Sequence, residues 1–253
     1  MKPTVQSPFP GSIIYHKVTT STMDLARSAV LEPPEGGLRN GAVFWAGHQT
    51  GGRGRVEGRR WSSRPGESLL FTILIAGDAL GCPVSAFPLI MGLAAALTLE
   101  DLGLRPEIKW PNDIILSHRK AAGILCETRG PWLCAGMGFN LGRSAVPPEL
   151  AGKGVSLDEF LSGAPLPGEL LERFLHRLHK SLALENWREM VEQRLYRRGA
   201  VITVVPGLPG SDLTERSGRV MGVGSRGELL LHNCEDGAFS VFSGEVLTWE
   251  GYS

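Results

Sequence analysis

The sequence predicts a mixed α+β protein with a small all-β region at its C-terminal end, and three patterns support this. Helix-like and strand-like segments are mixed without regular alternation, and adjacent strand pairs indicate a largely antiparallel or mixed sheet. A long amphipathic helical region follows, and after it short strands are separated by glycine and proline. A chain of 253 residues suffices for one sizeable domain and a small one. We therefore place a domain boundary near Arg198, which separates residues 1–198 from 199–253.

Local sequence patterns predict the secondary structure of the N-terminal part of the chain. Residues 13–18 read as a strand and residues 23–30 as a helix, which Ser21 or Thr22 can cap. Two further strands are predicted on either side of a loop at 49–67. Their bounds are Ala42–Ala46 and Ser68–Ala76.

The run 79–99 carries no charged residue, so a membrane span has to be considered. Pro83 and Pro88 stand near its start, and the helical part, about 86–102, acquires two acidic residues before Gly103 ends it. We therefore predict a buried core helix and no membrane span.

Strands and helices are also predicted further along the chain. The strands before the helical region are Glu107–Lys109, 114–116, 122–128 and 133–141, with a turn at 117–120. Leucines at helical spacing from residue 170 predict a long amphipathic region with a break near Asn186 and an end at Gly199. Five short strands follow at 201–205, 218–223, 228–231, 238–242 and 245–249, and they suggest a small barrel.

Composition restricts the class of protein. Apolar residues make up 42% and charged residues 21%, as in an ordinary soluble globular protein. Lys+Arg and Asp+Glu balance at 26 each, so the whole chain is not a polyanion binder, and any positive site must be local. No signal peptide is visible in residues 1–11, and no C-x-x-C pair occurs. We expect a reducing cytoplasm and small buried cysteines at Cys82, Cys126, Cys134 and Cys234.

The loop at 49–67 is rich in positively charged residues and in glycines, which make its backbone flexible. Against two glutamates it holds five arginines (Arg53, Arg55, Arg59, Arg60, Arg64) and five glycines (Gly51, Gly52, Gly54, Gly58, Gly66). Glycines let the backbone approach a ligand closely, and guanidinium groups match carboxylate and phosphate. An anion site, an RGG-like contact to nucleic acid and a solvated surface loop all remain open for this segment. P-loop and Rossmann patterns are absent.

A second candidate segment is Lys109-Trp110-Pro111-Asn112-Asp113, with Lys120 seven residues further on. An amide at such a strand junction can read a base or ribose, and a carboxylate can hold Mg²⁺. A lysine in the following hairpin can meet phosphate. The alternative is a capped turn with surface lysines.

A third segment, Gly136-Met-Gly-Phe-Asn140, ends a predicted strand. Its glycines leave space for a ligand next to the strand, and the Asn140 amide can form hydrogen bonds with it. Glycines in strands also mark bulges, so this segment alone is a weak indication of function.

In this order the segments resemble the biotin–protein ligases. The resemblance rests on T-S-T-M-D at 20–24, Q-T-G-G-R-G-R at 49–55, K-W-P-N-D at 109–113 and R-K-A-A-G-I-L-C-E at 119–127. It is strong over residues 18–140 and looser over the long helix and the C-terminal barrel. The resemblance implies a catalytic domain of the class II synthetase-like biotin/lipoate ligase type and an SH3-like barrel. Lipoate ligases share this fold but usually lack both the arginine loop and K-W-P-N-D.

The resemblance also implies site residues. Arg55 and Lys120 would be catalytic. The biotin-binding set would be Ser21, Thr22, Met23, Gln49, Gly52, Arg53, Gly54, Arg55, Lys120 and Gly123. The ATP or adenylate set would be Arg53, Arg55, Trp61, Asn112, Asp113, Lys120 and Asn140, with Mg²⁺ on the phosphates near Asp113.

The activity implied is activation of biotin with ATP to biotinyl-5′-AMP, then transfer of biotin to a lysine of a biotin carboxyl carrier protein. That carrier would belong to acetyl-CoA carboxylase or a related carboxylase. A monofunctional, cytoplasmic form is expected, because the first strand begins near residue 13 and leaves no room for an N-terminal DNA-binding domain. Neither nucleic acid nor membrane is an expected partner, and a homodimer stays open. Biotin carboxylate is already a nucleophile, which fits the lack of an obvious catalytic histidine.

The sequence departs from the family form in three places. An extra residue separates Arg55 from the run that ends at Trp61, position 23 is methionine, and Trp249 stands where an arginine is common. Two other functions remain to be discriminated. One is a lipoate or octanoyl ligase on the same fold, and the other is a nucleic-acid-binding module that uses the arginine loop and barrel.

Overall fold

A computed structural model describes residues 4–56, 58–62, 64–207, 214–235 and 237–249, and these form two sheets with four α-helices. The strands are β1 (Ile13–His16), β2 (Ala42–Ala46), β3 (Ser68–Ala76), β4 (Glu107–Lys109), β5 (Asp113–Leu116), β6 (Arg119–Arg129), β7 (Trp132–Asn140), β8 (Val201–Pro206), β9 (Arg216–Val223), β10 (Leu229–Asn233), β11 (Gly237–Val241) and β12 (Gly244–Trp249). The helices are α1 (Thr22–Leu31), α2 (Phe87–Glu100), α3 (Pro167–Ser181) and α4 (Trp187–Glu192).

The larger sheet has seven strands in the order β1-β2-β3-β7-β6-β5-β4. β1 and β2 are parallel, and the other neighbours are antiparallel. The predicted mixed sheet is therefore confirmed. β3 is an interior strand, between β2 and the central strand β7, and it pairs with β7 along its whole length. Such a strand is buried on both faces, which explains why Ser68–Ala76 reads as an almost continuous apolar run.

Helices cover the two faces of this sheet. Alternate residues of β3, such as Phe71 and Ile73, join the main core with α2 and α3, whereas Leu74 packs with α1 on the other face. Most of α2 is buried, so the prediction of a buried core helix is confirmed. None of the helices in the described part of the chain has the length and apolar character needed to cross a membrane.

The predicted turn at 117–120 is wrong in its second half. Ser117 and His118 make the turn, with φ angles of 46° and 64°, but Arg119 and Lys120 already belong to β6. Lys120 pairs with Ile115 across a register shift in β5. Such an irregularity depends on the partner strand, so local turn residues could not predict it. The break near Asn186 is confirmed as the gap between α3 and α4.

The second sheet has five antiparallel strands in the order β11-β10-β9-β8-β12, as the five predicted strands require. β11 and β12 are its edges, and no described pairing joins them, so a closed barrel is not confirmed. The sheet packs directly on the first unit. Ile202 and Val220 belong to the same core as α2, and the Trp110 Nε1–H donates to the Gly227 carbonyl at 3.0 Å.

The expectation of buried cysteines is only partly correct. Cys134 is buried, Cys82 and Cys126 are partly buried, and all are free thiols. Cys234 is exposed, contrary to the expectation, because it follows directly after β10 in a surface turn.

Candidate active site

A cavity lies between the N-terminus of α1, the loop at 49–62 and the larger sheet. It encloses about 500 Å³, counting its open mouth. We call it the first cavity. It is lined by Ser21, Thr22, Met23, Gln49, Arg53, Gly54, Arg55, Trp61, Leu70, Phe71, Thr72, Asn112, Lys120, Gly123, Ile124, Leu125, Gly136, Met137 and Gly138. All the predicted biotin-binding residues except Gly52 therefore meet in one place.

One end of the first cavity is lined by polar side chains that are joined by hydrogen bonds. Ser21 caps α1, since its Oγ accepts from the Met23 N–H at 3.3 Å. Gln49 Oε1 accepts from the Thr22 N–H at 2.7 Å and from its Oγ1 at 3.0 Å. The Thr72 hydroxyl donates to Thr22 Oγ1 at 2.9 Å. These side chains present fixed donors and acceptors to a neutral polar group.

The floor of the first cavity is made of glycines on neighbouring strands. Gly123 of β6 pairs with Gly138 of β7, and Gly136 lies two residues before Gly138. A Cβ on Gly138 would lie only 2.6 Å from Trp61 Cε2, and one on Gly123 would lie 3.0 Å from Trp61 Cζ3. The glycines therefore let the indole lie directly on the sheet. Gly136 and Gly138 are absent from the predicted site, although their alternate spacing on one strand is a usable signal.

The arginine loop folds back on itself as a small hairpin. Arg53 and Arg60 form an isolated antiparallel bridge, and the Gly54 N–H donates to the Arg59 carbonyl at 2.8 Å. The Trp61 N–H donates to the Gly52 carbonyl at 3.1 Å. Gly52 lies outside the first cavity, where a Cβ would approach the Trp61 carbonyl oxygen to 2.6 Å. The hairpin thus places Trp61 over the sheet.

Three arginines of the loop have partners on other elements. Arg53 forms an ion pair with Asp24 of α1, and Arg59 forms one with Glu245 of β12. The Arg55 Nη2 group donates to the Gly244 carbonyl at 2.7 Å. Burial lowers the pKa of Arg55, although a guanidinium stays charged at any ordinary pH. The loop is therefore held between α1 and the second sheet.

A second cavity of about 680 Å³ adjoins the first and shares Gly54, Arg55, Trp61, Asn112 and Lys120 with it. We call it the second cavity. Its remaining lining residues are Val56, Arg59, Arg60, Lys109, Trp110, Pro111, Asp113, Glu245 and Val246. Counting the shared residues as well, the described lining of the second cavity holds five cationic side chains against two carboxylates. Such an excess suits an anion with several negative charges.

Lys120 lies where the two cavities meet. Its Nζ is 2.6 Å from Asp113 Oδ1 and 5.7 Å from the centre of the Trp61 ring. Lys109 also faces the second cavity, and burial lowers its pKa while Asp113 counteracts that effect. Lys109 and Glu245 are both absent from the predicted site, although Lys109 stands inside the K-W-P-N-D segment.

The two predicted asparagines have different positions. Asn112 lines both cavities, and its Nδ2 donates to the Ile124 carbonyl at 2.7 Å. Asn140 is buried outside the lining of both, and its Nδ2 donates to the carbonyls of Lys120 and Val155, at 3.2 Å each. Asn140 thus fixes the backbone that carries Lys120, and its contact with nucleotide stays a prediction.

Comparisons with known proteins agree with the motif analysis. The model of the biotin/lipoate A/B protein ligase family matches residues 15–138. A Mycobacterium tuberculosis relative, biotin--[acetyl-CoA-carboxylase] ligase, is 31% identical over 157 residues, which are 59% of this chain and 56% of that protein. The chain spans about half the length of the curated relatives it matches.

Solved structures share the fold across most of the chain. A biotin protein ligase from Aquifex aeolicus, in complex with biotin and ATP, superimposes with a TM-score of 0.79 at 24% identity, covering 94% of this chain and 98% of that one. A biotin protein ligase from Leishmania major in complex with biotin has a TM-score of 0.65 at 26% identity and covers 94% and 99%. Over residues 15–138 the chain is therefore similar to the biotin/lipoate A/B protein ligase family.

Proposed function

We propose that the protein activates biotin with ATP to biotinyl-5′-AMP and transfers the biotinyl group to a lysine of a biotin carboxyl carrier protein. The observation that carries this proposal is the pair of adjoining cavities with Arg55 and Lys120 on their common wall. One cavity ends in neutral hydrogen-bonding groups, and the other has an excess of positive charge. An uncharged ring with a carboxylate tail and a nucleoside triphosphate would meet at that wall.

The lining of the first cavity suggests an orientation for biotin. Its ureido ring would bind at the polar end, where Ser21, Thr22 and Gln49 offer fixed hydrogen-bonding groups. Its valeryl chain would run along the first cavity beside the Trp61 indole, which itself lies on the glycine floor. The carboxylate would then reach Arg55 and Lys120. Met23, Arg53, Gly54 and Gly123 complete the surroundings, with Gly52 supporting Trp61 from outside.

The first step needs positioning rather than a base. A carboxylate oxygen of biotin attacks the α-phosphorus of ATP, the bond to the β-phosphate oxygen breaks, and pyrophosphate leaves. The two anions repel, so the clustered cations of the common wall lower the barrier by neutralising charge and aligning the reactants. Arg53, Arg55 and Lys120 would carry this role. Trp61, Asn112 and Asn140 are the proposed nucleotide-side residues.

Mg²⁺ would enter with ATP. No group of three or more histidine, cysteine or carboxylate side chains that could hold a metal occurs in the part of the chain that the structure describes. Mg²⁺ commonly needs only one or two protein carboxylates when phosphates supply other ligands. Asp113, which lines the second cavity, fits that requirement. The ion would neutralise phosphate charge.

The second step transfers the acyl group. The neutral amine of a carrier lysine attacks the biotinyl carbonyl carbon, and an amide bond forms as the bond between that carbon and the phosphate oxygen breaks. AMP leaves, and the amine nitrogen gives up one proton to solvent. The arginine loop and Trp61 would shield the anhydride from water before the carrier arrives. The carrier is proposed to belong to acetyl-CoA carboxylase or a related carboxylase.

The proposed division of the chain is a catalytic unit at 1–198 and an SH3-like unit at 199–253. Arg55 reaches Gly244, and Trp110 reaches Gly227, so the second unit closes one side of the second cavity. Residues 208–213 and 250–253 lie outside the described residues, as does the side chain of Trp249. The proposal leaves Trp249 without a nucleotide contact.

The test is exchange of labelled pyrophosphate into ATP with purified protein and Mg²⁺. Exchange that requires biotin, and that lipoate or octanoate does not support, is expected. Exchange with lipoate or octanoate instead would select a ligase for another acid. Absence of exchange with all three acids would overturn adenylation as the function.

A further inference from the structure

We propose that Asp24 is a positioning residue, which holds Arg53 and the first limb of the arginine loop against helix α1. The importance of Arg53 for biotin and adenylate rests on the proposed function. The holding contact itself does not, and it can be tested without any substrate.

The carboxylate of Asp24 lies between α1 and the loop. It stands in the first turn of α1 and forms an ion pair with the guanidinium of Arg53. The same carboxylate lies 3.3 Å from Arg27 Nη1 and accepts from the Thr20 hydroxyl at 3.4 Å. Three groups therefore restrict its orientation, and one of them belongs to the glycine-rich segment that ligand binding would use.

A second ion pair ties this arrangement to the sheet. Arg27 makes a forked contact with Glu127 of β6, with Nε at 2.9 Å and Nη2 at 2.5 Å from Oε2. The hydrogen bond to Glu127 raises the pKa of Arg27. Because a forked guanidinium–carboxylate pair restricts both side chains, Arg27 presents its remaining Nη1 edge to Asp24 in a defined direction. The chain of contacts runs from the sheet to the loop.

The ion pair between Asp24 and Arg53 joins two segments that both line the first cavity. Ser21, Thr22 and Met23, directly before it, line the first cavity. Arg53 lines the same cavity from the loop. An arginine between glycines has many accessible conformations, so a carboxylate fixed on α1 reduces the entropy lost when Arg53 meets its ligand. Asp24 thus sets the distance between the polar end and the loop.

The ion pair between Asp24 and Arg53 is weak enough for the loop to undock and dock again. The Asp24 and Arg53 side chains are 37% and 41% exposed. Exposed pairs shift an equilibrium only about two- to fivefold, and salt weakens them further. Such a pair biases the loop toward the docked position, and the other N–H donors of Arg53 can still bind a ligand carboxylate or phosphate.

The experiment compares trypsin cleavage of the unliganded wild type, Asp24→Asn, Asp24→Glu and the control Asp78→Asn. Trypsin cleaves after arginine, and the loop offers Arg53, Arg55, Arg59 and Arg60. Asp78 is exposed, lies beyond the far end of β3 from the loop and lines neither cavity, so it controls for loss of one negative charge. Loop cleavage in Asp24→Asn should be about two- to fivefold faster, the range that corresponds to an exposed ion pair. Asp24→Glu should restore most of the protection, and added salt, at about 0.5 M, should narrow the difference between wild type and Asp24→Asn.

Activity measurements separate positioning from general damage. Asp24→Asn should raise KM for biotin and the release rate of biotinyl-AMP by about two- to fivefold, with kcat of pyrophosphate exchange changed less than about twofold. A lowered Tm together with equal loss of kcat in Asp24→Asn and Asp24→Glu would overturn a positioning role. Equal loop cleavage in wild type and Asp24→Asn would also overturn it. Faster cleavage in a protein that shows no exchange would support the Asp24 contact and overturn the proposed function instead.

Discussion

The ammonium nitrogen of Lys120 lies 2.6 Å from a carboxylate oxygen of Asp113, at the point where the two cavities meet. Each residue lies on a different strand of one hairpin, β5 and β6. The pair keeps a cation at the common wall while the site is empty, and Asp113 gains a neutralising partner. A carboxylate or phosphate at Lys120 and a magnesium ion at Asp113 would each replace one partner of this pair.

Replacing Lys120 tests the role of this wall. Lys120→Ala removes one cation and leaves Asp113 facing the incoming phosphates, so adenylate formation should fall at least about a hundredfold. Lys120→Arg, which keeps the charge, should retain more activity. Biotin-dependent pyrophosphate exchange measures both. Near-normal exchange by Lys120→Ala would exclude the proposed role.

Arg55 should retain the reactive intermediate. Arg55→Gly removes a partly buried guanidinium and its 2.7 Å hydrogen bond to the Gly244 carbonyl, so the loop loses one of its two contacts with β12 and keeps the Arg59–Glu245 ion pair. We expect biotinyl-AMP to escape at least about tenfold faster in a single-turnover assay. Arg64→Gly is a matched control, since Arg64 belongs to the same loop but lines neither cavity. Equal release rates of biotinyl-AMP from the two variants would show that Arg55 has no specific role in retaining the intermediate.

The glycine floor should be sensitive to one methyl group. In Gly138→Ala the new Cβ would lie 2.6 Å from Trp61 Cε2, so the indole must move away from the sheet. Biotin affinity measured by calorimetry should fall by at least about tenfold, because the displaced indole no longer forms the wall of the first cavity beside the valeryl chain. Gly152→Ala is the control, since a methyl group there would have no neighbouring atom within 4 Å. Unchanged affinity in Gly138→Ala would place biotin elsewhere.

Thiol reactivity should distinguish the four cysteines. Burial raises the pKa of Cys82 and Cys134 to about 11 and also raises that of Cys126, whereas Cys234 is exposed. The thiolate is the reactive form, so a disulfide reagent at about pH 8 should label Cys234 first and the others only slowly. Cys234→Ser should abolish the fast phase. Persistence of a fast phase in that variant would mean that a second thiol is accessible.

The buried thiols should also make stability fall at alkaline pH. A thiol whose pKa is raised in the folded state favours folding below its unfolded pKa, about 8.5, and that contribution is lost as pH rises toward about 11. Urea unfolding at about pH 8 and about pH 10.5 should therefore show a smaller pH-dependent loss for Cys134→Ala than for Cys234→Ser. Identical losses would contradict the burial of the Cys134 thiol.

Local patterns predict most elements because each depends on the residues of one segment. β2 and β3 have the predicted bounds, since continuous apolar runs mark strands buried on both faces. The same reasoning places Lys120 in a turn, yet it lies in β6, because the register shift in β5 is a property of two strands together. The closed barrel is predicted from strand spacing alone, which says nothing about whether the edge strands pair.

The sequence alone determined the chemical groups and their order. It identified the arginine loop, the asparagine–aspartate pair and Lys120, because each belongs to a short segment whose residue types indicate anion binding. Only the tertiary structure decided which groups share a cavity. Strand register places Thr72 and Gly138 in the lining of the first cavity, and packing of the second sheet places Glu245 in the lining of the second. Such contacts join residues far apart in the chain, so their geometry is set by pairing and packing and cannot be read from any local pattern.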